Sequence, residues 1–265
     1  MDAAFPTPAD QGKTLNHEGW KITTRKLPIL KAGPIDDMTA KLGIAPPEMI
    51  FGDNAVRLEH AATGWHIEFN AFGALDRVDK TGEKRLEVAY SREWQQTRQN
   101  HASEIKEVVK PYDWSFSTDY AGSVPEDVAP KFEETETMIP LALLKRPDPI
   151  LFFDEVMLYE DELADNGISL VSCKIRVMPA RLLLLCRFFL RLDDVLFRIR
   201  DTRVFVEFAT GEVIREYTAR EEKYEVVKKK MAIIREDVPA LMRDPNRLVE
   251  FVPIIDGKLE KCIVK

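Results

Sequence analysis

The sequence predicts an α+β fold, an antiparallel β core of two packed sheets with peripheral helices. Three observations lead there. Apolar and polar residues alternate along several segments, as in Val171, Cys173, Ile175 and Val177 against Ser172, Lys174 and Arg176. Turn residues at Asp165-Asn166-Gly167, Asp193-Asp194 and Thr210-Gly211 divide residues 150–218 into consecutive strands. The connections between those strands are too short for crossover helices, so the pairing is antiparallel.

Taken in chain order, residues 1–18 read as a flexible N-terminal tail and residues 19–265 as a single domain. Residues 19–27 alternate after Gly19 and read as a strand. Residues 49–60 and 64–72 read as a hairpin turning at Ala61-Ala62-Thr63-Gly64. In its second arm Trp65, Ile67 and Phe69 share one face, and His66, Glu68 and Asn70 the other. Ser91 is placed to cap a helix over 92–99, Ser103 one over 104–109, and Pro111 stops the second. The segment 123–149 holds prolines 125, 130, 140, 147 and 149 and reads as a loop with one short helix after Pro140. Residues 150–160 and 168–178 form a hairpin, 181–192 a mostly buried strand, and 195–208 and 212–218 two more. Thr218-x-x-Glu221 is a capping-box pattern that opens a helix to about Arg235. Asp244-Pro245 supplies an N-cap and an N1 proline for one short final helix.

Composition narrows the function. The 265 residues are 45% hydrophobic, enough for a core and too many for a disordered chain. Lysine and arginine number 38 against 45 acids, a net charge of −7 that argues against a nucleic-acid partner. No apolar run approaches the roughly 20 residues of a membrane-spanning helix. Three cysteines without a C-x-x-C pair argue against a disulfide framework or a tetracysteine zinc site. Reduced thiols and the lack of an apolar leader lead to the expectation of a cytoplasmic protein.

Motifs that carry chemistry are scarce. Gly12-Lys13-Thr14 resembles the end of a phosphate-binding loop, but Thr7 stands where its first glycine belongs. His66-Ile67-Glu68 lacks the P-C-x-x-C of zinc deaminases, and the four histidines show no H-E-x-x-H spacing. No G-x-S-x-G or G-x-G-x-x-G occurs. No metal or other cofactor is expected. An enzymatic alternative rests on Asp53, His66 and Glu68 as acid/base groups.

Charge distribution is the outstanding feature. Residues 126–165 carry twelve acids and three bases, and residues 174–203 carry eight bases and three acids. Seven of those eight bases are arginine, whose planar fork suits carboxylates. Arg187, Phe189 and Arg191 share one strand row, and Ile199, Asp201 and Arg203 another. Such rows suit a peptide-binding groove. They equally suit internal pairing with the acidic arm at 154–165.

Several words resemble the TIPRL family, the TOR signalling pathway regulator-like proteins. They are Pro47–Asn54, Ile67–Ala71, Lys110-Pro111-Tyr112-Asp113-Trp114 with Thr118-Asp119-Tyr120, and Phe152–Leu163. Lys174–Pro179, Arg187–Arg191, Asp201-Thr202-Arg203 and Arg215–Thr218 continue the resemblance in order. It implies an antiparallel β core with peripheral helices and a non-catalytic role. The implied partner is the catalytic subunit of type 2A-family serine/threonine phosphatases, including its C-terminal tail, whose activity is restrained. It also implies a part in TOR signalling through the phosphatase-associated protein alpha4. The resemblance places Ile139, Ile199 and Asp201 on the catalytic subunit. Arg187, Arg191 and Arg203 would grip the acidic, aromatic tail. The family's acid after its I-E-F-N word falls at Gly73, so Asp76 is the candidate substitute. A third reading is a TOR-pathway scaffold that acts without the phosphatase.

Overall fold

The computed structural model describes residues 12–81, 112–233, 241–242 and 244–265. The helices predicted over 92–99 and 104–109, with Lys110 and Pro111, lie outside the described residues. The chain begins with β1 (Gly12–His17), β2 (Trp20–Arg25), α1 (Ala32–Leu42), β3 (Met49–Ile50), β4 (Ala55–His60), β5 (His66–Asn70) and α2 (Ala71–Asp76). It continues with β6 (Glu133–Glu134), α3 (Leu141–Leu144), β7 (Phe152–Asp161), β8 (Gly167–Met178), β9 (Arg181–Leu192), β10 (Leu196–Glu207) and β11 (Glu212–Lys223). It ends with α4 (Tyr224–Ala232), α5 (Pro245–Leu248) and β12 (Ile254–Ile263).

The strands build two antiparallel sheets, as expected. One has the order β1-β2-β4-β5 and the other β3-β7-β8-β9-β10-β11-β12-β6. Their facing rows interleave in one cluster of buried side chains. Trp20, Ile22, Leu58, Ile67 and Phe69 come from the first sheet, and Val171, Cys173, Ile175, Leu182, Leu184 and Val204 from the second. Trp20 and Trp65 meet edge to face at 5.9 Å, and each is at most 1% exposed. Polar links stitch the layers as well. Thr24 donates to the buried Asp154 carboxylate at 2.6 Å, and the Asn54 amide donates to the Met157 carbonyl at 2.7 Å.

Several boundaries differ from the sequence reading. Residues 12–17, expected in the tail, are a strand paired residue for residue with β2, and Glu18 and Gly19 turn at positive φ. The strand expected over 49–60 is two. Met49–Ile50 joins the large sheet beside β7, and a turn at 51–54 delivers Ala55–His60 to the small one. The capping-box reading at Thr218 does not hold. Glu221, its proposed N3 residue, pairs with Arg198 across the sheet, so β11 runs on to Lys223 before α4 begins. The hairpin at Asn166-Gly167 forms, but its turn is longer, with positive φ at Leu163, Ala164, Asp165 and Gly167. At Gly167 a Cβ would lie 1.9 Å from the Arg191 carbonyl oxygen, so the backbone itself requires glycine there. The final short helix is capped as predicted, with Asp244 accepting from the Asn246 N–H at 2.9 Å.

Candidate functional site

The two faces of the large sheet differ. Its inner face meets the small sheet. On its outer face, cross-strand register lines up Ser172, Arg187, Asp201, Thr218 and Gly257 in one row. The adjacent row is Lys174, Leu185, Arg203, Glu216 and Leu259. Successive rows on one face stand about 7 Å apart, so these two make a narrow strip.

Apolar covers flank the strip. On one side α4 with residues 241–242 and 244–252 buries Phe189, Phe197 and Ile199 beneath Val227, Met231, Leu241, Leu248 and Val252. On the other, Ile139 and α3 cover Phe205 and Ile214. Burying each such side chain contributes roughly 1.5–3 kcal/mol, which fixes both covers.

The strip is a chain of ion pairs. Arg187 clasps Asp201 through two hydrogen bonds of 2.7 Å, and its third nitrogen reaches Asn246 Oδ1 at 3.0 Å. Arg203 donates to Glu216 at 2.6 Å and approaches Asp201 at 3.5 Å. Arg220 donates to the carbonyls of Val249 and Val252, tying the segment above to the sheet. Burial above all, with the neighbouring Arg203 and Arg187, pulls the Arg220 pKa down, against the upward pull of Asp201. The Thr218 hydroxyl is buried without a partner among the described residues.

Most of the basic stretch is paired internally in the structure, with different partners from those the internal reading named. Among the described residues only Lys174 of the eight bases uses the acidic arm, through Glu155 at 2.9 Å. Arg181 pairs with Asp148, Arg187 with Asp201, Arg191 with Asp193, Arg198 with Glu221 and Asp113, Arg200 with Glu221, and Arg203 with Glu216. Arg176 alone of the eight has no ion pair among the described residues.

The candidate residues are brought together only in part. Arg187, Asp201 and Arg203 converge in the strip. Ile199 lies beneath one cover and Ile139 belongs to the other, at 0% and 5% exposure, and Asp201 is 1% exposed. Contact with a partner through these three side chains finds no open surface in this arrangement. Arg191 lines a cleft of about 480 Å³ with Ile168, Leu170, Phe189 and Pro245. Glu162, Asp165 and Asp193 rim that cleft, so acids outnumber the one arginine.

Asp76 is elsewhere, on α2, paired with Lys80 at 3.0 Å and exposed. It lines a second cleft of about 460 Å³ with Gly73, Tyr120, Phe132, Arg215 and Glu260. A Cβ at Gly73 would lie 2.7 to 2.9 Å from the Tyr120 ring and hydroxyl, so the aromatic ring occupies the place of an acid there.

Asp53, His66 and Glu68 do not converge. His66 and Glu68 sit on β5, with Glu68 beside Arg57 at 3.5 Å. Asp53 lies beyond the far end of β4, where its carbonyl accepts from Arg25. Neither cleft is lined by any of the three. Among the described residues no cluster of three or more His, Cys, Asp or Glu side chains is placed to hold a metal ion. No described helix is long and apolar enough to cross a membrane.

Sequence reasoning missed the outward Phe153, which is 54% exposed. The signal was present in Ile150-Leu151-Phe152-Phe153, a run apolar on both faces of a strand that buries one.

Residues 49–228 match the model of the TIP41-like family. The human TIP41-like protein is 41% identical over 246 residues, covering 92% of this chain and 87% of the relative. The type 2A phosphatase activator TIP41 of Saccharomyces cerevisiae is 40% identical over 272 residues, covering 96% of this chain and 75% of that protein. Its namesake in Schizosaccharomyces pombe is 31% identical over 245 residues, covering 91% and 94%. Matches of this extent establish that the chain belongs to the TIP41-like family.

Proposed function

We propose that this chain is a non-catalytic regulator that binds the catalytic subunit of type 2A-family phosphatases, C-terminal tail included, in the cytoplasm. The observation that carries the proposal is the similarity over nearly the whole chain to two yeast proteins named type 2A phosphatase activators. The separation of Asp53, His66 and Glu68 supports regulation over catalysis, since acid/base chemistry needs its groups within reach of one substrate atom. The action belongs to TOR signalling, with the alpha4-type protein as a further partner. The expected sign is restraint of the free catalytic subunit, and the yeast names carry the opposite word. A phosphatase assay with and without this chain decides between them. Co-purification from cells followed by mass spectrometry tests the partner. Recovery of this chain without any type 2A catalytic subunit overturns the proposal, and favours the scaffold reading if other TOR-pathway proteins come with it.

A further inference from the structure

The cleft beside Arg191 lies where β7, β8 and β9 reach one end of the large sheet. On the outer face the register sets Glu160, Leu170 and Phe189 in one row, and Ile168 beside Arg191 in the next. Ile168, Leu170 and Phe189 give the cleft an apolar floor, and Pro245 of α5 lines it with them. Its volume of about 480 Å³ falls within the range of ligand-binding clefts.

Charge decides what such a floor can hold. Of the charged groups lining the cleft, the one base, Arg191, is already taken by Asp193 at 2.7 Å. Glu162 and Asp165 are exposed and have no ion pair among the described residues. Two uncompensated carboxylates therefore stand over an apolar floor. Glu160 adjoins them beside Leu170, and burial above all, with the nearby Glu162, pushes its pKa up. A cation arriving at the rim relieves this crowding, because a nearby opposite charge favours the ionised carboxylate. A ligand that is apolar and cationic at once satisfies both parts of the cleft. An acidic or neutral ligand leaves both free carboxylates unpaired.

We propose that this cleft is the docking site for a basic segment of a partner protein, one that carries lysine or arginine beside a large apolar residue. The apolar side chain lies on Ile168, Leu170 and Phe189, and the bases pair with Glu162 and Asp165. Charge complementarity selects this occupant, and the exposed rim makes its ion pairs sensitive to salt. The assignment goes beyond the function proposed above and does not depend on which protein carries the segment.

The test is fluorescence anisotropy at low salt with a labelled octapeptide of four arginines and four leucines. The double variant Glu162→Gln with Asp165→Asn is expected to bind it about tenfold more weakly than the wild type, the loss typical of a central interface contact. Asparagine suits position 165, where φ is 64°, and thermal unfolding confirms that the variant remains folded. A control variant, Glu133→Gln with Glu134→Gln, removes the same charge on β6, at the opposite border of the large sheet, and is expected to bind as the wild type does. The same peptide with serine in place of leucine is expected to bind the wild type more weakly. Equal losses in the two double variants, or none in either, overturn the assignment, since attraction is then general to an acidic protein. Equal affinity for the serine peptide overturns it as well, because the apolar floor then has no part and the cleft takes any polycation. A wild-type chain that does not bind the leucine peptide at low salt overturns it outright.

Discussion

Arg187 and Asp201 face each other across β9 and β10 and close a two-bond clasp while 8% and 1% exposed. Removing one partner of such a buried pair leaves an uncompensated charge. Asp201→Ala is therefore expected to cost about 3–5 kcal/mol. The double variant Arg187→Met with Asp201→Leu, which removes both charges, is expected to regain most of that loss. Urea unfolding of the two single variants and the double variant measures the coupling. Additive losses would show that the clasp contributes nothing as a pair.

Gly73 and Tyr120 share one space. Gly73→Asp drives its Cβ into the ring, and overpacking of this kind costs about 1–3 kcal/mol. The ring is not free to swing away cheaply, because its hydroxyl donates to the Glu68 carbonyl at 2.9 Å. Thermal unfolding is expected to show a lower midpoint for Gly73→Asp and a partial return when Tyr120→Ala is added. An unchanged midpoint in the single variant would mean that the acid finds room without moving the ring.

Asp154 links stability to pH. Burial opposes its charge, but hydrogen bonds from Lys26 at 2.6 Å and Thr24 at 2.6 Å prevail and hold its pKa below the ordinary 3.8. A depressed carboxylate stabilises the fold above its unfolded-state pKa and loses that contribution as pH falls through the folded value. The stability advantage of the wild type over Asp154→Asn should be full at pH 6 and shrink below pH 3.8. Denaturant titrations across that range check it, and a gap independent of pH would sink the assignment.

The three thiols are inert by placement. Cys173 and Cys186 oppose each other on the inner face of β8 and β9. Burial, then the adjacent Cys186, pushes the Cys173 pKa well up, and burial lifts Cys262 to about 12. Since the thiolate is the reactive form, a thiol reagent at pH 8 is expected to label none of the three until the protein is unfolded. Stoichiometric labelling of the native protein would show that the sheets open far more readily than their packing implies.

What could be read from the sequence was local. The alternation of Val171, Cys173, Ile175 and Val177 survives as a fully buried row, because strand periodicity is a property of the chain itself. The cap at Asp244 was legible for the same reason. Thr218-x-x-Glu221 misled because a distant partner, Arg198, decides the fate of Glu221. β12 was not read at all, since its alternation is weak and its pairing with β11 supplies the structure. At the site, arginines were visible as charges, but which acid neutralises each depends on register between strands. That is why the surplus at Arg176 emerged only from the assembled sheet.

The match to the family model ends well inside the fold. It leaves out β1, β2 and β12, yet β2 lies between β1 and β4, and β12 between β11 and β6. A fragment cut to residues 49–228 would strip Trp20 and Ile22 from the core and bare two long strand borders, β4 and β11. Raw borders of that length recruit other chains, so the shortened protein is expected to associate rather than remain monomeric. The smallest autonomous unit of this architecture is thus set by strand order, and it is wider than the stretch by which the family is recognised.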